Sequence, residues 1–226
     1  MAAFVHKYPH YQKKLRRSIH DAIHNNPKGN EAPFYEVWDL WINDFILHAE
    51  DYSSRPQGVL SVALKPDKRR TANPKQAVMK RSPDFIVYHS REAGGGTGEG
   101  YSLKREVAFV AEIKPWMEGM GDSPAKVDRD FNERDFLGQV RDHGKMILMK
   151  HAKARVWLVQ CVGMFWRVGT LRNDELSPPS KRVPVGKNKP QQHRTSIDWW
   201  PIQKLGHVDS DIQQLQFWRQ MSNDIE

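Results

Sequence analysis

Residues 83–89 read PDFIVYH and residues 106–114 read EVAFVAEIK, and these two stretches decide how the rest of the chain is to be read. Both are rich in the β-branched and aromatic residues that suit a pleated, half-buried surface, so two strands are expected, at Phe85 to His89 and Glu106 to Ile113. The segment between them, Ala93 to Gly100, reads AGGGTGEG. Its glycines lack the spacing of a phosphate-cradling loop and open no helix, so they read as a hairpin tip. Side chains alternate across a strand, which puts Glu112 and Lys114 on one face and turns Ile113 into apolar packing on the other. Asp84 opens the earlier strand. Two carboxylates and an ammonium are therefore expected at neighbouring strand termini.

Upstream, Gly58 to Leu64 (GVLSVAL) reads as a further strand, separated from Asp84 by the basic, proline-punctuated segment Lys65 to Lys80. Before it, Pro33 suits the first turn of a helix running to about Glu50, with Glu31 just ahead of its N-terminus, where a negative charge is favoured. Phe34, Val37, Trp38, Trp41 and Phe45 make its apolar face, and Glu36, Asp39 and Asn43 a polar stripe. Downstream, helical spacing from about Asp130 to Lys150 sets Phe136, Val140 and Ile147 on one side and Asp135, Gln139 and His143 on another. Arg155 to Val162 and Phe165 to Leu171 then read as strands joined by a tight Gly163-Met164 hairpin. The expected fold is α/β, a central mixed sheet in the order helix, three strands, helix, two strands, flanked by helices.

The two ends differ from this middle. Residues 5–25 have helical spacing after Pro9, with Tyr11, Leu15, Ile19 and Ile23 on one stripe and Lys13, Lys14, Arg16 and Arg17 opposite. His20 and His24 are spaced like paired zinc ligands but have no third ligand or catalytic glutamate nearby, so no zinc site is expected there. Beyond Leu171 the chain is basic and proline-rich, and it recovers order only where Ser210 and Gln213 suggest a capping box before a stripe of Ile212, Leu215 and Trp218. Residues 1–30 thus read as a basic helical extension, 31–171 as the core, and 172–226 as a basic loop with a helix packing on that core.

A formal net charge of +8 attracts polyanions over a wide surface, which points to nucleic acid, DNA or RNA, as the partner class. The single cysteine, Cys161, excludes a disulfide framework and suits a reducing intracellular compartment, with nucleus and cytoplasm both open. The basic clusters Lys68-Arg69-Arg70 and Lys181-Arg182 would serve nuclear import only weakly. No apolar stretch approaches a membrane span, so no membrane association is expected. Trp116, the acidic series Asp122, Asp128, Asp130 and Glu133, and Trp199-Trp200-Pro201 flank the centre; the tryptophans read as anchors on the domain rather than as base-stacking platforms.

Asp84 and Glu112 supply the hard oxygen ligands that Mg²⁺ or Mn²⁺ prefers, and Lys114 supplies a cation for phosphate or water. Pro83-Asp84 followed, 28 residues after that aspartate, by Glu112-Ile113-Lys114 resembles the PD-(D/E)XK nuclease superfamily, the restriction endonuclease-like fold. The resemblance covers roughly Glu31 to Leu171 and is nearest in look to nuclease-like domains of fungal proteins. It implies a metal-dependent nuclease hydrolysing phosphodiester bonds, with Asp84, Glu112 and the Ile113 carbonyl on one or two ions and Lys114 as the catalytic cation. It further implies a supporting acid on the first core helix, Glu31 in preference to Glu36, and a supporting glutamine, Gln139, on the helix after the lysine strand. Two alternatives stand beside it: a catalytically inactive module of the same fold that binds nucleic acid or protein, and a binding adaptor whose basic helix and loop are the working surfaces.

Overall fold

A computed structural model of the chain describes residues 2–26, 30–46, 51–63, 78–93, 102–115, 124–151, 153–173 and 197–225. In chain order the elements are α1 (Ala2–His24), α2 (Ala32–Ile46), β1 (Tyr52–Pro56), β2 (Leu60–Ala63), β3 (Val78–Arg81), β4 (Phe85–Ala93), β5 (Ser102–Lys114), α3 (Pro124–Phe131), α4 (Arg134–His151), β6 (Arg155–Val162), β7 (Phe165–Arg172), β8 (Asp198–Trp199), β9 (Gln203–Lys204) and α5 (Val208–Ile225). Among the described residues the main sheet has seven strands, ordered β1-β4-β5-β6-β7-β8, with β9 also on β7. Its pairings are antiparallel apart from β5 with β6, which run parallel. A parallel pair needs a crossover, and α3 and α4 supply it. The protein is therefore mixed α/β, with a mostly antiparallel central sheet and helices on it.

The alternation of β5 and β6 divides the core into two layers. Phe109, Ala111 and Ile113 with Val159 and Cys161 face one way, against Phe34, Val37, Trp38 and Trp41 of α2 and Phe217 and Met221 of α5. Val110, Leu158 and Val162 face the other, against Val127 and Phe131 of α3 and Phe136, Val140 and Ile147 of α4. Glu112 and Lys114 share parity with Val110, so they lie on the α3–α4 side. The N-terminal helix packs on α2, burying Leu15 and Ala22 while Lys13, Lys14, Arg16 and Arg17 stay exposed. Trp200 meets Trp157 edge-on, with ring centroids 5.7 Å apart, which is the anchoring role read for the Trp199-Trp200 pair.

Several expected elements lie elsewhere. The segment read as the first strand of the central sheet pairs instead with Val78–Arg81 in a separate two-stranded sheet that packs on α4 through β2. The main sheet's edge is taken by β1, YSSRP, which carries no apolar alternation. An edge strand beside β4 needs little more than backbone pairing, whereas the apolar β2 buries Leu60 against the helical layer. The expected helix from Asp130 is two helices. Glu133 breaks it, accepting the N–H groups of Asp135 and Phe136 at 3.2 Å each and so capping α4. The first helix begins at Ala2 and runs through Pro9 rather than starting after it. The expected capping box at Ser210 is absent, because α5 starts at Val208 and the Ser210 hydroxyl is buried, accepting the Trp166 indole N–H at 2.9 Å. Ile212 and Leu215 are exposed while Gln213 and Gln214 are buried: the helix presents its glutamines inward, where Gln213 bonds Gln203 and the Pro201 carbonyl. Trp116, Asp122, Lys68-Arg69-Arg70, Lys181-Arg182, Gly94 to Gly100 and residues 47–50 lie outside the described residues.

Candidate functional site

The site forms where β5 outruns its antiparallel neighbour. The β4–β5 ladder starts with Phe85 opposite Ala111, so Glu112, Ile113 and Lys114 keep only β6 beside them, opposite Gln160, Cys161 and Val162. On the vacated edge the Asp84 side chain takes the place of a strand. Its Oδ2 accepts the Ile113 N–H at 2.6 Å, and its Oδ1 accepts the hydroxyl of Tyr35 from α2. The N–H and C=O of a strand residue point to the same edge, so the Ile113 carbonyl opens on the side that Asp84 occupies. Pro83, buried, holds the chain extended into this position.

Glu31, Lys114 and the first turns of two helices close the rim. Glu31 stands at the N-terminus of α2, its carbonyl accepting the Phe34 and Tyr35 N–H groups, and its Oε1 lies 3.9 Å from Lys114 Nζ. The same ammonium lies 5.7 Å from the centroid of the Phe136 ring. Glu36, the alternative supporting acid, accepts the Ser18 hydroxyl at 3.4 Å on α1 and so serves the contact between the two N-terminal helices. Gln139 is exposed. One turn further along α4, His143 is 3 % exposed, and its Nδ1 comes within 3.4 Å of Glu112 Oε2.

Burial governs the electrostatics. It pushes the Glu112 carboxyl up to about 8, helped by the negative charge of Asp84 and opposed by Lys114. It raises Asp84 too, against the hydrogen bonds from Tyr35 and Ile113 and the charge of Lys114. The Tyr35 phenol is raised by burial and by its bond to Asp84. His143 is pushed down to about 4 by burial. Its approach to Glu112 is therefore no ion pair at neutral pH: the imidazole is neutral and the carboxyl largely protonated.

This donor set fits a hard divalent ion. Two carboxylates that resist ionising side by side are stabilised in the ionised form by a cation between them. Glu112 Oε2 is also buried without a hydrogen-bond partner, an orphan that a cation would satisfy. Among the described residues no group of three His, Cys, Asp or Glu side chains is already drawn together to hold an ion, so an ion bound here would draw on backbone oxygen as well, with Ile113 as the available carbonyl.

The structure thus brings Asp84, Glu112, Ile113, Lys114 and Glu31 to one place and leaves Gln139 in solvent. It adds two residues that sequence reasoning missed. Tyr35 sits four positions after Glu31, one turn along the same helix face, and that spacing was its only signal. His143 was legible as part of the Asp135, Gln139, His143 stripe, but nothing in the spacing said that its imidazole is buried beside Glu112. No helix among the described residues is long and apolar enough to cross a membrane. No family model and no curated protein matches this chain.

Proposed function

We propose that the chain is a divalent-metal-dependent nuclease of the PD-(D/E)XK type that hydrolyses phosphodiester bonds of DNA or RNA. The observation that carries this reading is the meeting of Asp84 and Glu112 beside Lys114 on a strand edge, where both carboxyls are held above their usual range. The order of helix, strands, helical crossover and strand supports it, since the resemblance to that superfamily implies helix, three strands, helix, strand.

Each residue has a definable task. Asp84, Glu112 and the Ile113 carbonyl would hold Mg²⁺ or Mn²⁺, and Tyr35 fixes the rotamer of Asp84 by bonding Oδ1. An ion bound there supplies charge neutralisation at phosphate and a lowered pKa for the attacking water. Lys114, a third exposed at 34 %, presents its ammonium to an incoming phosphate and neutralises charge that grows on the non-bridging oxygens. Glu31 restrains that ammonium from the helix side. The exposed Lys13, Lys14, Arg16 and Arg17 of α1 extend the basic surface along which a nucleic-acid backbone lies.

A single-turnover assay on labelled single- and double-stranded DNA and RNA, with Mg²⁺ or Mn²⁺, tests the reading. The native chain should cut at least one of them, and Lys114→Ala should slow cutting by about 10² to 10³ with its far-ultraviolet dichroism unchanged. Cutting at the native rate by the variant would remove the catalytic assignment. One observation favours the inactive-module alternative: both Asp84 oxygens already have protein partners, Tyr35 and the Ile113 N–H. That reading wins if neither form cuts any substrate while both bind nucleic acid with a steep salt dependence.

A further inference from the structure

Glu112 Oε2 and His143 Nδ1 are each buried and each without a hydrogen-bond partner, yet they face one another at 3.4 Å. Glu112 is 8 % and His143 3 % exposed, so solvent does not satisfy either. Nor is the approach aligned as an N–H···O bond, since neither atom has such a partner. Their neighbour does not resolve the pair: Gln160, opposite Glu112 on β6, gives its amide oxygen to the Arg167 Nε–H at 2.8 Å, and its amide nitrogen is buried without a partner and bonds neither atom.

The separation itself has a simple chemical meaning. Two ligands each about 2.1 Å from one cation, subtending about 90 to 109°, are about 3.0 to 3.4 Å apart. A carboxylate oxygen and an imidazole nitrogen at this distance, both lacking partners, have the bite of two donors to one ion. The positions are also set by regular structure: Glu112 sits inside a strand paired on β6, and His143 lies in the middle of α4 among its buried residues.

We propose that His143 Nδ1 is a ligand of the ion held by Glu112, which makes this centre a mixed nitrogen–oxygen site selective for Mn²⁺ and its transition-metal neighbours over Mg²⁺. Imidazole is a ligand for transition dications, whereas Mg²⁺ keeps to oxygen and water. The inference rests on the reading that Glu112 binds an ion, but it does not require that the chain cut nucleic acid.

Electron paramagnetic resonance on the full chain provides a test with Mn²⁺ alone as the probe. The electron spin echo of bound Mn²⁺ should carry nitrogen modulation in the native protein, and Mg²⁺ in competition should bind at least about tenfold more weakly. His143→Gln should lose the nitrogen modulation and about tenfold or more in Mn²⁺ affinity, while Mg²⁺ affinity moves by less than about threefold, within the scatter of an unchanged oxygen set. Mn²⁺ bound without nitrogen modulation, modulation that persists in His143→Gln, or no Mn²⁺ bound at all would each overturn the inference, and the first and last are read on the native protein alone. The nuclease reading fails separately: nitrogen-ligated Mn²⁺ in a chain that cuts no substrate retains the ligand and discards the activity. Cutting with oxygen-only Mn²⁺ does the reverse.

Discussion

At the scale of single residues, Glu112 and His143 make opposite demands on pH. Burial raises Glu112 from its usual 4.5 to about 8, so from pH 4.5 to 8 the folded chain keeps a proton that the unfolded chain has released. Burial lowers His143 from 6.5 to about 4, so between those values the unfolded chain holds a proton that the folded one lacks. Where the windows overlap the two effects oppose one another, with His89 and His151, also lowered by burial, on the side of His143; above pH 6.5 the histidine effects end and that of Glu112 remains. Stability should therefore fall from about pH 6.5 toward pH 8, at up to about 1.4 kcal/mol per pH unit. Thermal melts without divalent ions measure this directly. Glu112→Gln should abolish the fall above pH 6.5, and a fall of the same size in that variant would show that Glu112 does not titrate in this range. The positions of Asp84, Glu112 and Lys114 were legible because strand alternation is a strict period of two. Tyr35 and His143 were not, because a helix stripe says which residues share a face and not which of them a neighbouring strand end will cover.

At the scale of elements, α4 separates two glycines that the sequence does not distinguish. A Cβ on Gly138 would meet nothing within 4 Å, whereas one on Gly144 would stand 2.8 Å from Leu171 and 3.2 Å from Leu158. Gly144 is where the helix rests on β6 and β7, close enough that only a hydrogen fits. Gly138→Ala should stabilise the chain by about 0.5 to 1 kcal/mol through helix propensity, and Gly144→Ala should destabilise it by about 1 to 3 kcal/mol through overpacking. Denaturant titration of the two variants checks the contrast, and equal effects would mean that α4 does not pack on the sheet at Gly144. The same level explains where reading the elements succeeded. The strands β4, β5, β6 and β7 each contain a run rich in apolar residues, and their pairing partners follow from turns and a crossover. Among the misread elements, β1 and α5 obey their surroundings: an edge strand requires only backbone partners, and α5 turns Gln213 and Gln214 inward because Gln203 and the Pro201 carbonyl await Gln213 there.

At the scale of the whole molecule, a net charge of +8 and the exposed basic face of α1 would make the proposed binding of nucleic acid an electrostatic quantity. Binding should weaken by about 10³ between 50 and 200 mM salt if roughly six phosphates are contacted. Replacing Lys13, Lys14, Arg16 and Arg17 together by glutamine should flatten the log–log salt slope by up to about 3 to 4; an unchanged slope would place the contact surface elsewhere. The mixed sheet and its flanking helices could be read from periodicity, but the meeting of α2, β4 and β5 at one edge could not, because it depends on where the β4–β5 ladder stops. That meeting is what the account stands on, and anomalous scattering from a crystal soaked in Mn²⁺ tests it most directly. A single strong peak about 2.2 Å from carboxylate oxygens of both Asp84 and Glu112, beside Lys114, is the expected result. Full soaking with no peak there, and Asp84 still bonded to Tyr35 and the Ile113 N–H, would contradict it.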